Sequence, residues 1–211
     1  MPHCLIDHLT VTAPSLAAGA EFVRAALGVA PQAGGEHPRM GTHNLLLRLG
    51  DARFLEVIAA NPAAPAPDRP RWFALDTLTP QSRPTLATWV ARTADIHAAA
   101  AASSEPLGAI EPMRRGTLDW LITIPADGAL PLGGVAPALI EWHTDAHPAA
   151  GLPDHGLALA GLELLHPEPE RVSRLLRSLG LADAATVSAA ATPAVVAHID
   201  TPQGRRRLAV P

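Results

Sequence analysis

A repeated succession of strand, helix and strand meander constrains this chain more than any other feature of its sequence. The first copy is predicted as a strand at 5–12, a helix at 14–27 that stops at Gly28, and strands at 43–49 and 53–59. The second copy is predicted as a strand at 86–92, a helix at 95–102, strands near Met113 and at 118–124, and a strand at 138–143. A glycine-rich loop is expected around Gly34 and Gly35 in the first copy.

A shorter third copy is predicted in the last sixty or so residues. Its expected elements are a strand at 157–165, a helix at 169–179, and strands at 195–199 and 205–210. We therefore predict a first module at 1–60, a proline-rich linker at 61–83, a second module at 84–150 and a degenerate third module at 151–211. The third copy is expected to be structural, capping the sheet edge or pairing with another chain.

Composition excludes several kinds of function. The formal net charge of −4 gives no basic field for a nucleic-acid backbone or an anionic membrane. The single cysteine, Cys4, permits no internal disulfide and is expected to be buried and inert, and the sequence contains no lysine or tyrosine for Schiff-base or tyrosine acid chemistry. With neither a long apolar run nor a secretory signal in view, we expect a cytoplasmic protein.

Three side chains in predicted strands suggest a metal centre: His8, Glu56 and Glu141. Both glutamates are flanked by apolar residues, where a carboxylate is costly unless it is paired, hydrogen-bonded or bound to a cation. An imidazole with two carboxylates suits Zn, Fe, Ni or Mn, and three protein ligands leave positions open for substrate. The alternative is a hydrogen-bonded structural histidine with solvent-facing glutamates.

Two further histidines are candidates for a place beside these three side chains. If the turn at Gly50 and Asp51 is a two-residue loop, His43 lies diagonally beside Glu56 on the same face, although one extra loop residue would invert that parity. His143 lies two positions from Glu141 and shares its face, as a ligand, a supporting partner or a proton shuttle.

A pocket is indicated by tryptophan and arginine. Trp89, Trp120 and Trp142 lie in predicted strands, where they either line an apolar pocket or pack in the core. Arg114 and Arg115 either hold a substrate carboxylate or phosphate or are simply exposed. His37 and His147 are expected to be exposed loop residues.

The motifs of the first module resemble a known family. They are Ile6-Asp7-His8-Leu9, Met40-Gly41-Thr42-His43-Asn44, Leu46-Leu47-Arg48-Leu49-Gly50-Asp51 and Phe54-Leu55-Glu56-Val57-Ile58. Together they are similar to the glyoxalase-like branch of the vicinal oxygen chelate superfamily, over roughly residues 5–148. The second module matches less closely, through residues 138–142 and 147–148.

The resemblance implies an α+β fold in which paired βαβββ modules form curled mixed sheets around a shared cavity. It implies a divalent cation held by His8, Glu56 and Glu141. Trp89 stands at a position where a ligand would be expected and cannot ligate. Either His43 or water then completes the shell, or the site has lost its metal and the cavity only binds.

The resemblance further implies a metal-dependent enzyme acting on a small oxygenated organic molecule, by isomerase, lyase or dioxygenase chemistry. Glu56, Glu141 and His143 would move the proton. The rival hypothesis is a metal-free protein that binds or sequesters a small molecule in the same cavity. A third is a purely structural interaction module, and a homodimer is expected.

Overall fold

The computed structural model describes residues 3–144 and 147–209. The helices and strands of these residues are, in chain order, β1 (Leu5–Thr12), α1 (Leu16–Leu27), β2 (Gln32–His37), β3 (Thr42–Arg48), β4 (Phe54–Ala60), β5 (Thr85–Arg92), α2 (Ile96–Ala102), β6 (Ala109–Arg115), β7 (Leu118–Ile124), β8 (Ala138–Trp142), β9 (Ala158–His166), α3 (Pro169–Ser178), β10 (Thr186–Ala189), β11 (Ala194–Thr201) and β12 (Gly204–Leu208).

Helix boundaries follow the capping residues read from the sequence. The Ser15 side chain accepts a hydrogen bond from Ala18 N at 3.2 Å and begins α1, and Gly28 ends it in the left-handed conformation at φ 78°. Asp95 begins α2 by accepting from Ala98 N at 2.9 Å. No helix among these described residues is long and apolar enough to cross a membrane.

Eight strands form one curled sheet, a half-barrel, in the order β2-β3-β4-β1-β5-β8-β7-β6. Strands β1 and β5 pair antiparallel at its centre, and each also pairs in parallel with the last strand of its own module, β4 or β8. The two βαβββ units thus contribute four strands each. The predicted α+β fold with curled sheets around a cavity is confirmed.

The two faces of the half-barrel bury different sets of side chains. On the convex face, Leu9 and Val11 of β1 join a core cluster with α1 and α2. On the concave face, Ile58, Val90 and Ile140 belong to a second cluster that borders the cavity. Since strand side chains alternate between faces, neighbours of these residues in the chain point the opposite way.

The C-terminal strands form a separate sheet in the order β10-β9-β11-β12. Its elements succeed one another as in the two modules, but β9 pairs in parallel with the second strand of its unit, β10, and not with the fourth. Strand β10 is absent from the sequence prediction. Apolar residues of this sheet, including Leu162 and Val195, extend the convex-face core.

The edges of the half-barrel, β2 and β6, approach each other along a line that we call the seam. Arg39 Nη1 donates to Pro112 O at 2.9 Å, Arg69 Nη1 lies 2.7 Å from Glu111 Oε1, and Arg39 also pairs with Glu111. Gly34 and Gly35 lie within β2, beside a bulge, where the sequence predicted a loop. The seam is therefore joined by side chains and not by a strand ladder.

Candidate active site

A small cavity of about 30 Å³, partly open to solvent, lies on the concave face of the half-barrel. The lining combines polar side chains with aromatic rings and two isoleucines: His8, His37, Asn44, Glu56, Arg115, Phe54, Trp72, Phe73, Trp120, Trp142, Ile122 and Ile140.

Glu56 is the carboxylate at this cavity. It is only 6% exposed, and its Oε1 accepts a 2.6 Å hydrogen bond from Asn44 Nδ2. Its Oε2 lies 3.8 Å from His8 Nε2, which is too long for a hydrogen bond. Glu56 and His8 thus meet as the sequence predicts. Both side chains line the cavity, and the pair of atoms closest to each other is Glu56 Oε2 and His8 Nε2.

The turn between β3 and β4 decides which residue of β3 accompanies Glu56. Arg48 pairs with Phe54, so the loop spans residues 49–53 and is longer than the two residues assumed from the sequence. The parity is inverted, because Leu46 now lies opposite Glu56 and Asn44 shares its face. His43 points to the other face and does not line the cavity, so its predicted role as a ligand is corrected.

His8 is held in place by its neighbour Asp7. Its Nδ1 donates to Asp7 Oδ1 at 2.6 Å, and its ring stacks on Phe54 with centroids 4.4 Å apart. A bulge between Ile6 and His8 interrupts the alternation of β1, which allows these consecutive residues to meet. The imidazole Nε2 is thereby oriented toward Glu56.

Asp7 is fully buried beneath the cavity. It also accepts hydrogen bonds from Trp142 Nε1 at 3.0 Å and His147 Nε2 at 2.9 Å, and Arg92 Nη1 lies 3.6 Å away. Burial raises the pKa of Asp7, but the hydrogen bonds from His147 and His8 outweigh it and leave the pKa well below its usual range. The carboxylate is therefore charged, and His147 is a partner of Asp7 and not the exposed loop residue expected.

Arg115 enters the cavity from β6. Its Nη1 donates to Asn44 Oδ1 at 3.1 Å and lies 3.3 Å from His37 Nε2. Burial lowers the pKa of Arg115, while the charge of Glu56 acts in the opposite direction. Burial, together with the charge of Arg115, lowers the pKa of His37 to about 3, so His37 is neutral near pH 7 and accepts from the guanidinium.

Glu141 does not join His8 and Glu56. Its neighbours in β8, Ile140 and Trp142, line the cavity, so its own side chain points to the convex face. There Oε2 accepts from Ile96 N at 2.7 Å, at the start of α2, and Oε1 accepts from His143 Nε2 at 2.9 Å. The predicted convergence of three ligands is thus corrected to two, and His143 moves away from the site with Glu141.

The predicted pocket residues divide between the two faces. Trp120 and Trp142 line the cavity with their ring centroids 5.3 Å apart. Trp89 is fully buried on the convex face and donates from Nε1 to Val135 O at 2.9 Å, so it neither lines the cavity nor occupies a ligand position. Arg114 is 77% exposed and pairs with Asp119, and its neighbour Arg115 takes the position at the cavity.

A divalent cation was expected from the resemblance, and the donor atoms test whether it fits. Among residues 3–144 and 147–209, no group of three or more His, Cys, Asp or Glu side chains is arranged to hold a metal ion. The positive charge of Arg115 lies close to Glu56, because the side-chain amide of Asn44 bonds to both residues. The donor set of His8 and Glu56 therefore does not fit a centre with three protein ligands.

Two solved structures share this fold over most of the chain, and a third is less similar. A crystal structure of a hypothetical protein from Staphylococcus aureus superposes with a TM-score of 0.62 at 13% identity, covering 90% of this chain and 87% of that one. A triple mutant of 4-hydroxymandelate synthase from Streptomyces coelicolor gives 0.52 at 17% identity, covering 99% of this chain and 63% of that one. Methylmalonyl-CoA epimerase from Mycobacterium tuberculosis gives 0.42 at 17% identity, covering 69% of this chain and 91% of that one.

Identities this low show likeness of fold alone, and no curated protein matches the sequence. A sequence model of the glyoxalase-like domain matches residues 6–180, which include both modules and the first part of the C-terminal sheet. The match agrees with the paired βαβββ units of the half-barrel. This chain therefore belongs to the glyoxalase-like domain family.

Proposed function

We propose that this protein is an enzyme that binds a small oxygenated organic molecule in the concave cavity and transfers a proton through Glu56. One observation carries the proposal. The Glu56 carboxylate is buried and held by Asn44 at Oε1, while its Oε2 lies 3.8 Å from His8 Nε2, and both residues line the cavity. A carboxylate fixed in this way is positioned to act as a general base.

The reaction that suits this arrangement is proton abstraction from a carbon next to a carbonyl group. Glu56 takes the proton, the electron pair of the C–H bond moves onto the carbonyl oxygen, and an enolate forms. Returning the proton to the same or a neighbouring atom completes an isomerisation, whereas loss of a leaving group completes a lyase reaction. Because Asp7 orients His8 from the far side, Nε2 can exchange a proton with the substrate oxygen.

The metal-dependent form of this function, with Zn, Fe, Ni or Mn, was favoured from the sequence. It required three converging ligands, and Glu141 lies on the opposite face of the sheet. The proposed reaction therefore relies on the side chains of the cavity, with Glu56 as base and not as ligand.

A second candidate is the binding or sequestration of a hydrophobic molecule without chemistry. Aromatic rings favour it, since Phe54, Trp72, Phe73, Trp120 and Trp142 all line the cavity. Such rings supply a large apolar contact area to a bound molecule. The two candidates share one cavity and differ in whether a bound molecule exchanges a proton.

Deuterium exchange separates the two candidates. The protein, treated with EDTA and checked by elemental analysis, is incubated in D₂O with pyruvate, acetoacetate, dihydroxyacetone and methylglyoxal, and loss of the C–H signal is followed by NMR. We expect catalysed exchange with at least one compound, loss of that exchange in Glu56→Gln, and retention in the matched variant Glu141→Gln.

If Glu56→Gln catalysed deuterium exchange at the wild-type rate, Glu56 would not be the base. Exchange that disappears with EDTA and returns with Zn²⁺, Fe²⁺, Ni²⁺ or Mn²⁺ would restore the metal-dependent function. Saturable binding without exchange would favour sequestration.

A further inference from the structure

We infer that the cavity is specific for an organic molecule carrying a carboxylate, and that Arg115 binds this carboxylate. The inference rests on the proposed function, because it places the substrate in the same cavity as Glu56. It adds the substrate class and a specificity-determining residue.

The partners of Arg115 leave its charge uncompensated at close range. Both groups near Nη1, Asn44 Oδ1 and His37 Nε2, are neutral acceptors. Within the described ranges, no carboxylate oxygen forms an ion pair with Arg115 at 4.0 Å or less, whereas Arg39 and Arg69 of the seam both pair with Glu111. A half-buried guanidinium without a close counter-charge favours an anionic partner, and it presents donors in the fork geometry that matches a carboxylate.

The backbone beside Arg115 is shaped to admit its side chain. A Cβ added to Gly35 would lie 2.6 Å from Arg115 Cδ, closer than real Cβ contacts permit. A Cβ at Gly34 would lie 2.2 Å from Asn44 Oδ1, the atom that accepts from Arg115. Two consecutive glycines of β2 thus make room for the guanidinium and for the amide that holds it.

Trp72 lines the same cavity and carries a donor that is unpaired within the described residues. Trp72 is 4% exposed, and its indole Nε1 is buried with no hydrogen-bond partner among the residues the structure describes. Buried N–H groups are nearly always paired, so this one points to an acceptor supplied from outside the chain. Arg115 and Trp72 together call for an acceptor-rich ligand with an anionic group.

Asn44 separates the proposed anion site from the proposed base. Its side chain donates to Glu56 through Nδ2 and accepts from Arg115 through Oδ1. A ligand carboxylate bound at Arg115 therefore holds the rest of the ligand near Glu56. The Glu56 carboxylate keeps its own charge, because Asn44 separates it from the guanidinium. The surrounding rings suit an apolar or aromatic body, so the substrate class is a small carboxylic acid with such a body and an acidic C–H bond.

Binding can be measured by intrinsic fluorescence, because three of the four tryptophans line the cavity and the chain has no tyrosine. The probes are benzoate and phenylacetate, each compared with its uncharged amide, benzamide or phenylacetamide. We expect the wild type to bind at least one acid about 10-fold or more tightly than its amide, and Arg115→Met to lose that preference. Arg114→Met, the exposed neighbour, should retain it.

A second substitution guards against a misfolded variant. Arg115→Lys keeps the charge but not the fork, and it should bind the acid with intermediate affinity, with unchanged circular dichroism as the check on folding. Glu56→Gln should still bind the acid while losing proton exchange, which separates a failure of this inference from a failure of the proposed function. Equal affinity of the wild type for acids and amides, no binding of either acid at millimolar concentration, or unchanged acid binding by folded Arg115→Met would overturn the inference.

Discussion

Asn44 lies between Glu56 and Arg115 and bonds to both, donating to Glu56 Oε1 at 2.6 Å and accepting from Arg115 Nη1 at 3.1 Å. Its Oδ1 also accepts from Gly35 N at 2.8 Å. One neutral side chain thus fixes the proposed base, the proposed anion site and the β2 backbone relative to one another.

Removing this amide should destabilise the protein. Asn44→Ala leaves Glu56 Oε1 buried without its donor, and we expect the free energy of unfolding to fall by about 1–3 kcal/mol. Urea unfolding followed by tryptophan fluorescence measures the change. His43→Ala is the control, since His43 is adjacent but points away from the cavity, and an equal loss in both variants would contradict the role given to Asn44.

Adding a methyl group to β2 should disturb the site more than the fold. We expect Gly35→Ala to displace Arg115 and weaken benzoate or phenylacetate binding, because its Cβ would meet the arginine side chain at 2.6 Å. Gly151→Ala is a matched control, since its Cβ would meet no atom within 4 Å. Titration of tryptophan fluorescence compares the two, and unchanged affinity in Gly35→Ala would show that Arg115 does not need this space.

Stability should fall as the pH is lowered, in part through His37. Burial lowers the pKa of His37 from its ordinary value of 6.5 to about 3, so between these values the unfolded chain binds a proton that the folded chain does not. Stability then rises with pH across this window, by up to about 1 kcal/mol per pH unit. We expect His37→Gln to flatten this slope in urea unfolding measured at several pH values, and the exposed His155→Gln to leave it unchanged.

Asp7 should contribute a second loss of stability at more acidic pH. Its folded pKa is depressed below the ordinary value of 3.8, so its contribution is present above that value and is lost as the pH falls through the folded pKa. Asp7→Asn should remove this part of the acid dependence, while the fully exposed Asp51→Asn should not. Parallel acid unfolding curves for the wild type and Asp7→Asn would contradict the expectation.

The two glutamates predicted as ligands should behave differently when they are truncated. Glu141→Ala removes the acceptor for Ile96 N at the start of α2 and should cost about 1 kcal/mol of stability, with carboxylate binding unchanged. Glu56→Ala should alter the cavity itself. Thermal unfolding and fluorescence titration of both variants test the contrast, and a loss of binding in Glu141→Ala would place it in the site after all.

Local patterns in the sequence were sufficient for the modules, the helix caps and the meeting of His8 with Glu56. They were not sufficient for the strand register, because the register depends on loop lengths, which cannot be read from the residues of the strands. The longer loop at 49–53 replaced His43 with Asn44 at the cavity. Alternation along β8 places Ile140 and Trp142 on one face of the strand and Glu141 on the other. The local sequence does not show which of these faces is concave.

His37 and His147 were missed for a different reason, and for the same reason the sequence did not distinguish Arg115 from Arg114. Each reaches its partner from a distant part of the chain, and the curvature of the sheet brings these parts together. One available signal was the acidic residue immediately before His8, since a carboxylate next to an imidazole often orients it. The predicted domain boundaries, the homodimer and the cytoplasmic location stay predictions.

The seam has a consequence for how molecules reach the cavity. The edges β2 and β6 are joined there by the contacts of Arg39 and Arg69 with Glu111 and of Arg115 with His37, and not through paired backbone groups. The gap between them can therefore widen while every strand keeps its neighbours. A fully closed barrel would have to unzip a row of amide–carbonyl bonds to admit a guest. Here, exchanging a few side-chain contacts for water is enough, and because some of them are ionic, entry is expected to respond to ionic strength.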